Sequence, residues 1–272
     1  MGRFFGLNWS PNGQRIALVA TPTQNLEQVT GVYIGDIGDI GKTELQPLVP
    51  QGVFTQGLTV ADPPPVWSLD NRAMAFHLGT PVINSSAGRG ISIIEVTANT
   101  AKLIDDPTGK LMALGAGGNY LARGKGPVWS PDSQTIFFIA AAGSCSCPGL
   151  FRIQRDGTGL TLLRESVVEI ALSPISGNIA AVQITRDAVQ LVFTDRDGKI
   201  LQSVLKWPQQ TAAKQRTYIT DLAWSAKGGR LAFVSNIHGD YDLYAVNADG
   251  AGLVNLTAWQ GDEAAPQWRP GR

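Results

Sequence analysis

A motif made of a large apolar residue, a serine-led turn and a returning apolar strand recurs along the whole chain. Five complete copies occur every 43 to 62 residues, and a sixth copy ends the chain. In each complete copy an apolar strand residue stands seven positions after the Trp or Leu, without a gap. A repeat of this length indicates stacked supersecondary units and not one irregular core. The repeat positions are Trp9, Trp67, Trp129, Leu172, Trp224 and Trp268.

Each repeat predicts four antiparallel strands. The first turn reads Ser-Pro-Asn/Asp-Gly or a close variant, which suits a tight reversal. The second strand is apolar on both faces, so we expect it to be covered on both sides. Asp156-Gly157, Asp197-Gly198 and Asp249-Gly250 lie between apolar runs and predict hairpins in which both residues have positive φ.

Repeated four-stranded units predict an all-β fold, a β-propeller with essentially no helix. We expect one domain over 1–272, with repeat residues packed between blades and five complete blades plus a lone closing strand. This arrangement is that of a six-bladed propeller truncated at its N-terminus; a closed five-bladed ring is the alternative. The predicted blades are 4–49, 63–105, 127–164, 167–205 and 219–257, and the extra strand is 264–268.

The last repeat resembles the blade repeat of TolB-type propellers. The resemblance rests on the run from Asp240 to Gly250, then Asn255-Leu256-Thr257, and then Gly261-Asp262-Glu263. It implies a non-catalytic scaffold that binds a protein or peptide partner, in the periplasm or at the cell surface of a bacterium. The resemblance extends to the propeller alone, because the N-terminal α/β domain of TolB has no counterpart here.

Composition and motifs exclude several function classes. Lys and Arg total 22 and Asp and Glu total 22, so no charge footprint for nucleic acid exists. No apolar run reaches the 18 residues or more that a membrane span needs. A Gly-x-Ser-x-Gly nucleophile motif is absent from the sequence, and we expect neither catalysis nor a cofactor. The alternative is the propeller part of a larger peptidase or polysaccharide-active enzyme.

Cysteine and histidine give little support for a metal site. Cys145 and Cys147 are separated by one residue, so a disulfide between them would be strained. The interpretation as two inert thiols in a loop is favoured over a thiol pair that binds a soft metal ion. His77 aligns with strand positions of other repeats and predicts a packed side chain. His238 lies in a loop beside aspartates without a second His or Cys nearby. We therefore predict no metal site.

The variable loops predict where a partner binds. The connections between strands two and three, and between successive units, vary in length and all emerge at one face of the predicted propeller. Functional residues concentrate on such loops. We expect a monomer that binds its partner on this long-loop face. The candidate residues are Trp207, His238, Asp240, Tyr241, Trp259 and Asp262, of which Trp207 and Trp259 are assigned to connecting loops.

Overall fold

In a computed structural model of the chain, every described element is a β-strand. The described residues are 3–21, 31–38, 45–48, 59–60, 65–79, 90–96, 100–105, 111–112, 126–142, 147–210, 216–257 and 261–268. Two compact units divide the chain. The first unit comprises Met1–Cys147 with Phe151–Thr161, and the second comprises Pro148–Leu150 with Leu162–Arg272.

The strands form five antiparallel sheets in chain order. The first contains β1 (Arg3–Trp9), β2 (Arg15–Thr21), β3 (Gly31–Asp36) and β4 (Gln46–Pro47). The second contains β5 (Thr59–Val60), β6 (Val66–Trp67), β7 (Ala73–Gly79), β8 (Gly90–Glu95) and β9 (Thr100–Asp105). The third contains β10 (Leu111–Met112), β11 (Val128–Trp129), β12 (Thr135–Ala142), β13 (Cys147–Gln154) and β14 (Thr161–Glu165).

The last two sheets contain four strands each. The fourth has β15 (Val167–Leu172), β16 (Ile179–Ile184), β17 (Ala188–Thr194) and β18 (Ile200–Pro208). The fifth has β19 (Ile219–Trp224), β20 (Arg230–Ser235), β21 (Asp242–Asn247) and β22 (Val254–Asn255). In the second and third sheets two short strands share the first position, since β5 and β6 both pair β7, and β10 and β11 both pair β12. The predicted all-β fold of four-stranded antiparallel units is confirmed.

The second strand of each repeat lies in the core, as predicted. In β7 the residues from Ala73 to Phe76 are all fully buried, and in β20 every residue after Arg230 is buried. Consecutive buried positions in a strand require cover on both faces. Apolar clusters supply that cover between the first and second, the second and third, and the fourth and fifth sheets.

A repeated indole hydrogen bond joins successive repeats within each unit. The indole Nε1–H donates to the backbone carbonyl of the residue just before the repeat position of the preceding sheet, at 2.8–3.3 Å. The side chain of Leu172, at the same repeat position, has no N–H to donate. The four pairs are Trp67 with Asn8, Trp129 with Val66, Trp224 with Ala171 and Trp268 with Ala223.

Burial of the repeat residues is uneven. Trp67 and Trp129 are each 4% exposed, whereas Leu172, Trp224 and Trp268 are partly buried. The core prediction is wrong for Trp9, whose side chain is 54% exposed. The indole packs toward the sheet that precedes it, and β1 belongs to the first sheet in the described part of the chain.

The segment 264–268 runs beside β19 but is not itself assigned as a strand. The backbone N–H of Ala265 approaches a carboxylate oxygen of Asp221 at 3.5 Å, and the Trp268 indole donates to Ala223. Ala265 has a φ of 51°, a left-handed value that interrupts extended backbone. The number of blades that close the ring stays a prediction.

Serine organises the first turn of the repeat. In the second sheet the hydroxyl of Ser68 donates to Asp70 at 2.5 Å and accepts from the backbone N–H of Ala73 at 2.9 Å. The same pair of bonds recurs around Ser10 and Ser130. The serine therefore closes the turn and also satisfies the carboxylate or amide beside it.

The Asp-Gly turns differ from the predicted two-residue form. Only the glycine has positive φ, 83° at Gly157 and 79° at Gly198. In the first of these turns Gln154 donates its N–H to the carbonyl of Thr158, so three residues form the loop. This geometry is a type I turn that ends in a left-handed glycine. The aspartate itself does not have positive φ. Asp156 and Asp249 accept from the backbone N–H two residues further on, whereas Asp197 donates its N–H to the carboxylate of Asp195.

Candidate functional site

One end of the second unit gathers the connections that the sequence marked as variable. We call this region the loop end; it comprises Thr185–Asp187, Gln209–Gln210, Arg216–Tyr218, Asn236–Tyr241, Thr257 and Gly261–Glu263. The opposite end, with the Ser173–Gly177 and Asp195–Gly198 turns, is the turn end. Residues 211–215 and 258–260 lie outside the described part of the chain.

Asn236 fixes the two connections that flank β19 and β20. Its side chain is 3% exposed and uses both ends of its amide. The nitrogen donates to the carbonyl of Arg216 at 2.8 Å, and the oxygen accepts from the N–H of Tyr218 at 2.7 Å. The hydroxyl of Ser235 donates to the Tyr218 carbonyl at 2.6 Å. These bonds pre-order the backbone that carries the exposed side chains of the loop end.

Trp207 lies on strand β18 and not in the connecting loop that the sequence predicted. The strand continues to Pro208 because β17 offers ladder partners along that length, with Val189 opposite Trp207. The indole is partly buried and meets the ring of His238 edge-on, with centroids 5.5 Å apart. Trp207 thus contributes aromatic area to the loop end from a rigid strand.

His238 is exposed and is tied to the core through a tyrosine. Its Nδ1 lies 2.8 Å from the hydroxyl oxygen of Tyr244, which is 1% exposed. Burial, and secondly the negative charge of Asp242, raise the pKa of Tyr244 to about 12. The phenol therefore keeps its proton at neutral pH. Phe233 stacks on the Tyr244 ring at 5.4 Å and holds it in place.

The second aspartate of the Asp240-Tyr241-Asp242 run has a structural role. Asp242 is 6% exposed and accepts hydrogen bonds from the amide of Asn255 at 2.8 Å and the hydroxyl of Thr257 at 3.2 Å. The Asn255 amide also approaches the Tyr244 hydroxyl at 3.4 Å. The two motifs that carry the TolB-type resemblance thus meet in one buried polar network behind His238. Buried polar groups need such partners.

Tyr241 and Asp262 are brought together, as the shared-face prediction expected. The N–H of Tyr241 donates to a carboxylate oxygen of Asp262 at 3.2 Å, and the Tyr241 carbonyl accepts from the N–H of Glu263 at 2.7 Å. The Tyr241 ring lies 6.2 Å from that of Tyr218, over which the guanidinium of Arg216 sits at 5.7 Å. Tyr218 and Arg216 were missed by the sequence analysis, because neither occupies a repeat position.

The remaining residues predicted from the sequence add little to the surface of the loop end. Asp240 is exposed on the same turn as His238. Trp259 lies outside the described residues, as does Cys145, while Cys147 begins β13. His77 lies on β7, opposite Ile91. Across the described part of the chain, no three His, Cys, Asp or Glu residues are grouped to hold a metal ion.

A separate charged cluster lies in the first unit. Arg155 donates from Nε and Nη2 to the two oxygens of Glu95 at 2.6 and 2.7 Å, and from Nη1 to Asp70 at 2.6 Å. Burial opposes the charge on Asp70, but hydrogen bonds from Ser68 and Arg155 lower its pKa below the ordinary value. Hydrogen bonds to Glu95 outweigh burial and raise the pKa of Arg155. This cluster joins the second sheet to the third and is fully occupied by its own contacts.

Comparisons with known proteins show the fold. No family model matches the chain, and no curated protein matches it either. A crystal structure of TolB from Acinetobacter baumannii is similar with a TM-score of 0.55 and 18% identity over 96% of this chain and 55% of that one. The chain therefore resembles TolB at the level of the propeller fold.

Enzymes are also among the similar structures. An oligogalacturonate lyase in complex with manganese has a TM-score of 0.62 and 13% identity, over 92% of this chain and 63% of that one. Dipeptidyl peptidase 4 of Porphyromonas gingivalis has a TM-score of 0.63 and 15% identity, over 96% of this chain and 40% of that one. The chain thus spans 40–63% of the length of these three structures. None of the described elements is a helix long and apolar enough to cross a membrane.

Proposed function

We propose that this chain is a non-catalytic propeller scaffold that binds a protein or peptide partner at the loop end of the second unit. The observation that carries the proposal is the aromatic and polar surface formed by Trp207, Tyr218, His238 and Tyr241 on pre-ordered backbone. Tyr, Trp and Arg dominate the binding energy of protein interfaces. Rigid presentation reduces the entropy that a partner must overcome on binding.

Three further elements belong to the proposal, of which the location and the kind of partner come from the resemblance to TolB-type propellers. The chain acts outside the cytoplasm of a bacterium, it acts as a monomer, and it takes its partner as a peptide or protein segment. The fold likeness to TolB supports the propeller scaffold, and the role in partner binding is proposed from the surface of the loop end, because fold alone does not assign a function.

A displayed library of short random peptides tests the proposal. Peptides are selected on the immobilised chain and then measured on two double variants. Trp207→Ala with Tyr241→Ala removes aromatic area at the loop end, and we expect it to weaken binding by at least tenfold. Ile175→Ala with Asp197→Ala is the control at the turn end, where Ile175 is 69% exposed, and we expect it to bind as the wild type does. Loss of binding in the control pair with retention in the first pair would contradict the assignment.

The second candidate function is the propeller part of a larger enzyme. The observation that favours it is the presence of a lyase and a peptidase among the similar structures, of which this chain spans 63% and 40%. The chain is incubated with oligogalacturonides and Mn²⁺, and separately with oligopeptides. Turnover above a heat-denatured control would overturn the non-catalytic proposal. The sequence that flanks this chain in its gene distinguishes the two candidates further, since an adjoining hydrolase domain favours the enzyme.

A further inference from the structure

A chain of hydrogen bonds runs from the interior of the fifth sheet to the surface of the loop end. It passes from the buried Asp242 carboxylate through the Asn255 amide and the Tyr244 hydroxyl to Nδ1 of His238. Every group before the imidazole is in the core or partly buried, and the imidazole itself is exposed. The surface histidine is thus the outer end of an internal network.

The direction of the last bond follows from the partners of Tyr244. The Asn255 nitrogen can only donate, so it offers the phenol oxygen no acceptor. Among the described residues, Nδ1 of His238 is the acceptor in contact with this hydroxyl. A buried hydroxyl without an acceptor is costly. The Tyr244 proton therefore lies toward Nδ1, and the neutral imidazole carries its own proton on Nε2.

We propose that His238 is a pH-responsive latch of the loop end, which holds the Asn236–Tyr241 turn while neutral and releases it when protonated. A protonated imidazole has N–H donors on both ring nitrogens and no lone pair to accept from Tyr244. Nδ1–H would then have to donate to the phenol oxygen, which leaves the buried Tyr244 hydroxyl proton without an acceptor among the described residues, so protonation weakens the link between turn and core. The effect of this latch on partner binding rests on the proposed function.

Charged groups lie on several elements around the imidazole. They are Lys206 on β18, Asp242 on β21, Asp240 on its own turn, and Arg186, Asp187 and Arg216 elsewhere in the loop end. The segment after β22 adds Asp262 and Glu263. In the described part of the chain none of these forms a hydrogen bond or ion pair with the imidazole, so Tyr244 is its one polar contact. Imidazoles in general change charge between about pH 5 and 8.

The structural half of the inference is tested without any partner. The chain has two histidines, His77 and His238, so their imidazole NMR signals are assigned by one variant, His238→Gln. In the wild type we expect a slowly exchanging Tyr244 hydroxyl proton, absent in Tyr244→Phe, that disappears as His238 takes up its proton. Phe keeps the ring stacking on Phe233, so Tyr244→Phe retains the fold. A hydroxyl proton that exchanges at the solvent rate at neutral pH, or that persists after His238 is protonated, overturns the latch.

The functional half uses a peptide selected from the displayed library at about pH 7.5. We expect the wild type to bind it roughly threefold to tenfold more weakly at about pH 5.5, the range that loss of one hydrogen bond gives. His238→Gln should bind equally at both pH values, and His77→Gln should behave as the wild type. Binding that is independent of pH in the wild type refutes the latch and leaves the scaffold proposal standing. Failure to select any peptide refutes the scaffold proposal, and the NMR measurement then decides the latch alone.

Discussion

Alanine substitutions at the same repeat position in two sheets separate the effect of burial on stability from the effect of the sequence motif. Trp129 is 4% exposed, donates its indole N–H to Val66 at 3.0 Å and lies under the guanidinium of Arg155. Trp9 has the same motif around it but is 54% exposed. Among the described residues, its indole forms no hydrogen bond. The sequence motif predicts the same environment for both tryptophans, whereas the structure buries Trp129 and exposes Trp9.

The expected costs differ several-fold. Trp129→Ala should lower the free energy of unfolding by about 3–5 kcal/mol, the usual loss for a buried large aromatic. Trp129→Phe keeps most of the apolar contact but leaves the Val66 carbonyl without its donor, which costs about 1–3 kcal/mol. Trp9→Ala should cost less than about 1 kcal/mol, as exposed substitutions do.

Guanidinium-induced unfolding, followed by circular dichroism, measures these differences. For a chain of this size about 2–4 °C of midpoint shift accompanies each kcal/mol, so thermal melts should place Trp129→Ala roughly 6–20 °C below the wild type. The melt of Trp9→Ala should overlay the wild type within a few degrees. Equal destabilisation by the two alanine variants would refute the reasoning, because it would mean that the exposed and the buried indole contribute alike.

Three further outcomes are expected. Gly198→Ala should lower the free energy of unfolding by about 2–4 kcal/mol in chemical unfolding, because φ is 79° and a Cβ would stand 3.0 Å from the Leu163 carbonyl oxygen. Gly13→Ala is the comparison: φ is 69° but the space around a Cβ is open, so it should cost only about 1–2 kcal/mol. Since the folded-state pKa of Asp70 is lowered, the stability lost in Asp70→Asn should be largest above about pH 5. It should shrink as the pH falls below the ordinary value of about 3.9 and disappear once the pH has passed the lower folded-state pKa; a constant difference down to acid pH would contradict the ion pair. Ultraviolet titration of tyrosinate should show one group with a pKa of about 12 that is missing in Tyr244→Phe. Because burial favours the protonated phenol, the contribution of Tyr244 to stability should be lost as the pH rises from about 10 through about 12.

Short-range sequence patterns were sufficient to predict the strands and most of the turns. The alternation of apolar strands with serine-led and Asp-Gly turns predicts four-stranded antiparallel units, because each signal acts over fewer than ten residues. The Asp156-Gly157 turn shows the limit of such rules. Glycine at the left-handed position was predictable, but the three-residue loop depends on which backbone groups the flanking strands bring together.

The candidate site was predictable only in part. His238, Tyr241 and Asp262 were assigned to one surface, because strand direction alone determines the end at which each connection emerges. Trp207 was assigned to a loop because its strand extends beyond the repeat pattern, and that extension depends on the length of β17. Tyr218 and Arg216 gave no sequence signal, since their role comes from the carbonyl and N–H that Asn236 contacts across the unit.

The sequence by itself determined the class of fold, the order of strands and the residues at each turn, because these follow from backbone propensity and short-range hydrogen bonds. Tertiary structure decided which repeat tryptophan is buried, since burial of an indole depends on the sheet packed against it and Trp9 and Trp129 share one motif. It also decided the connection from Asp242 to His238. Hydrogen bonds between residues on different strands depend on the register and approach of those strands, which short-range sequence patterns do not specify.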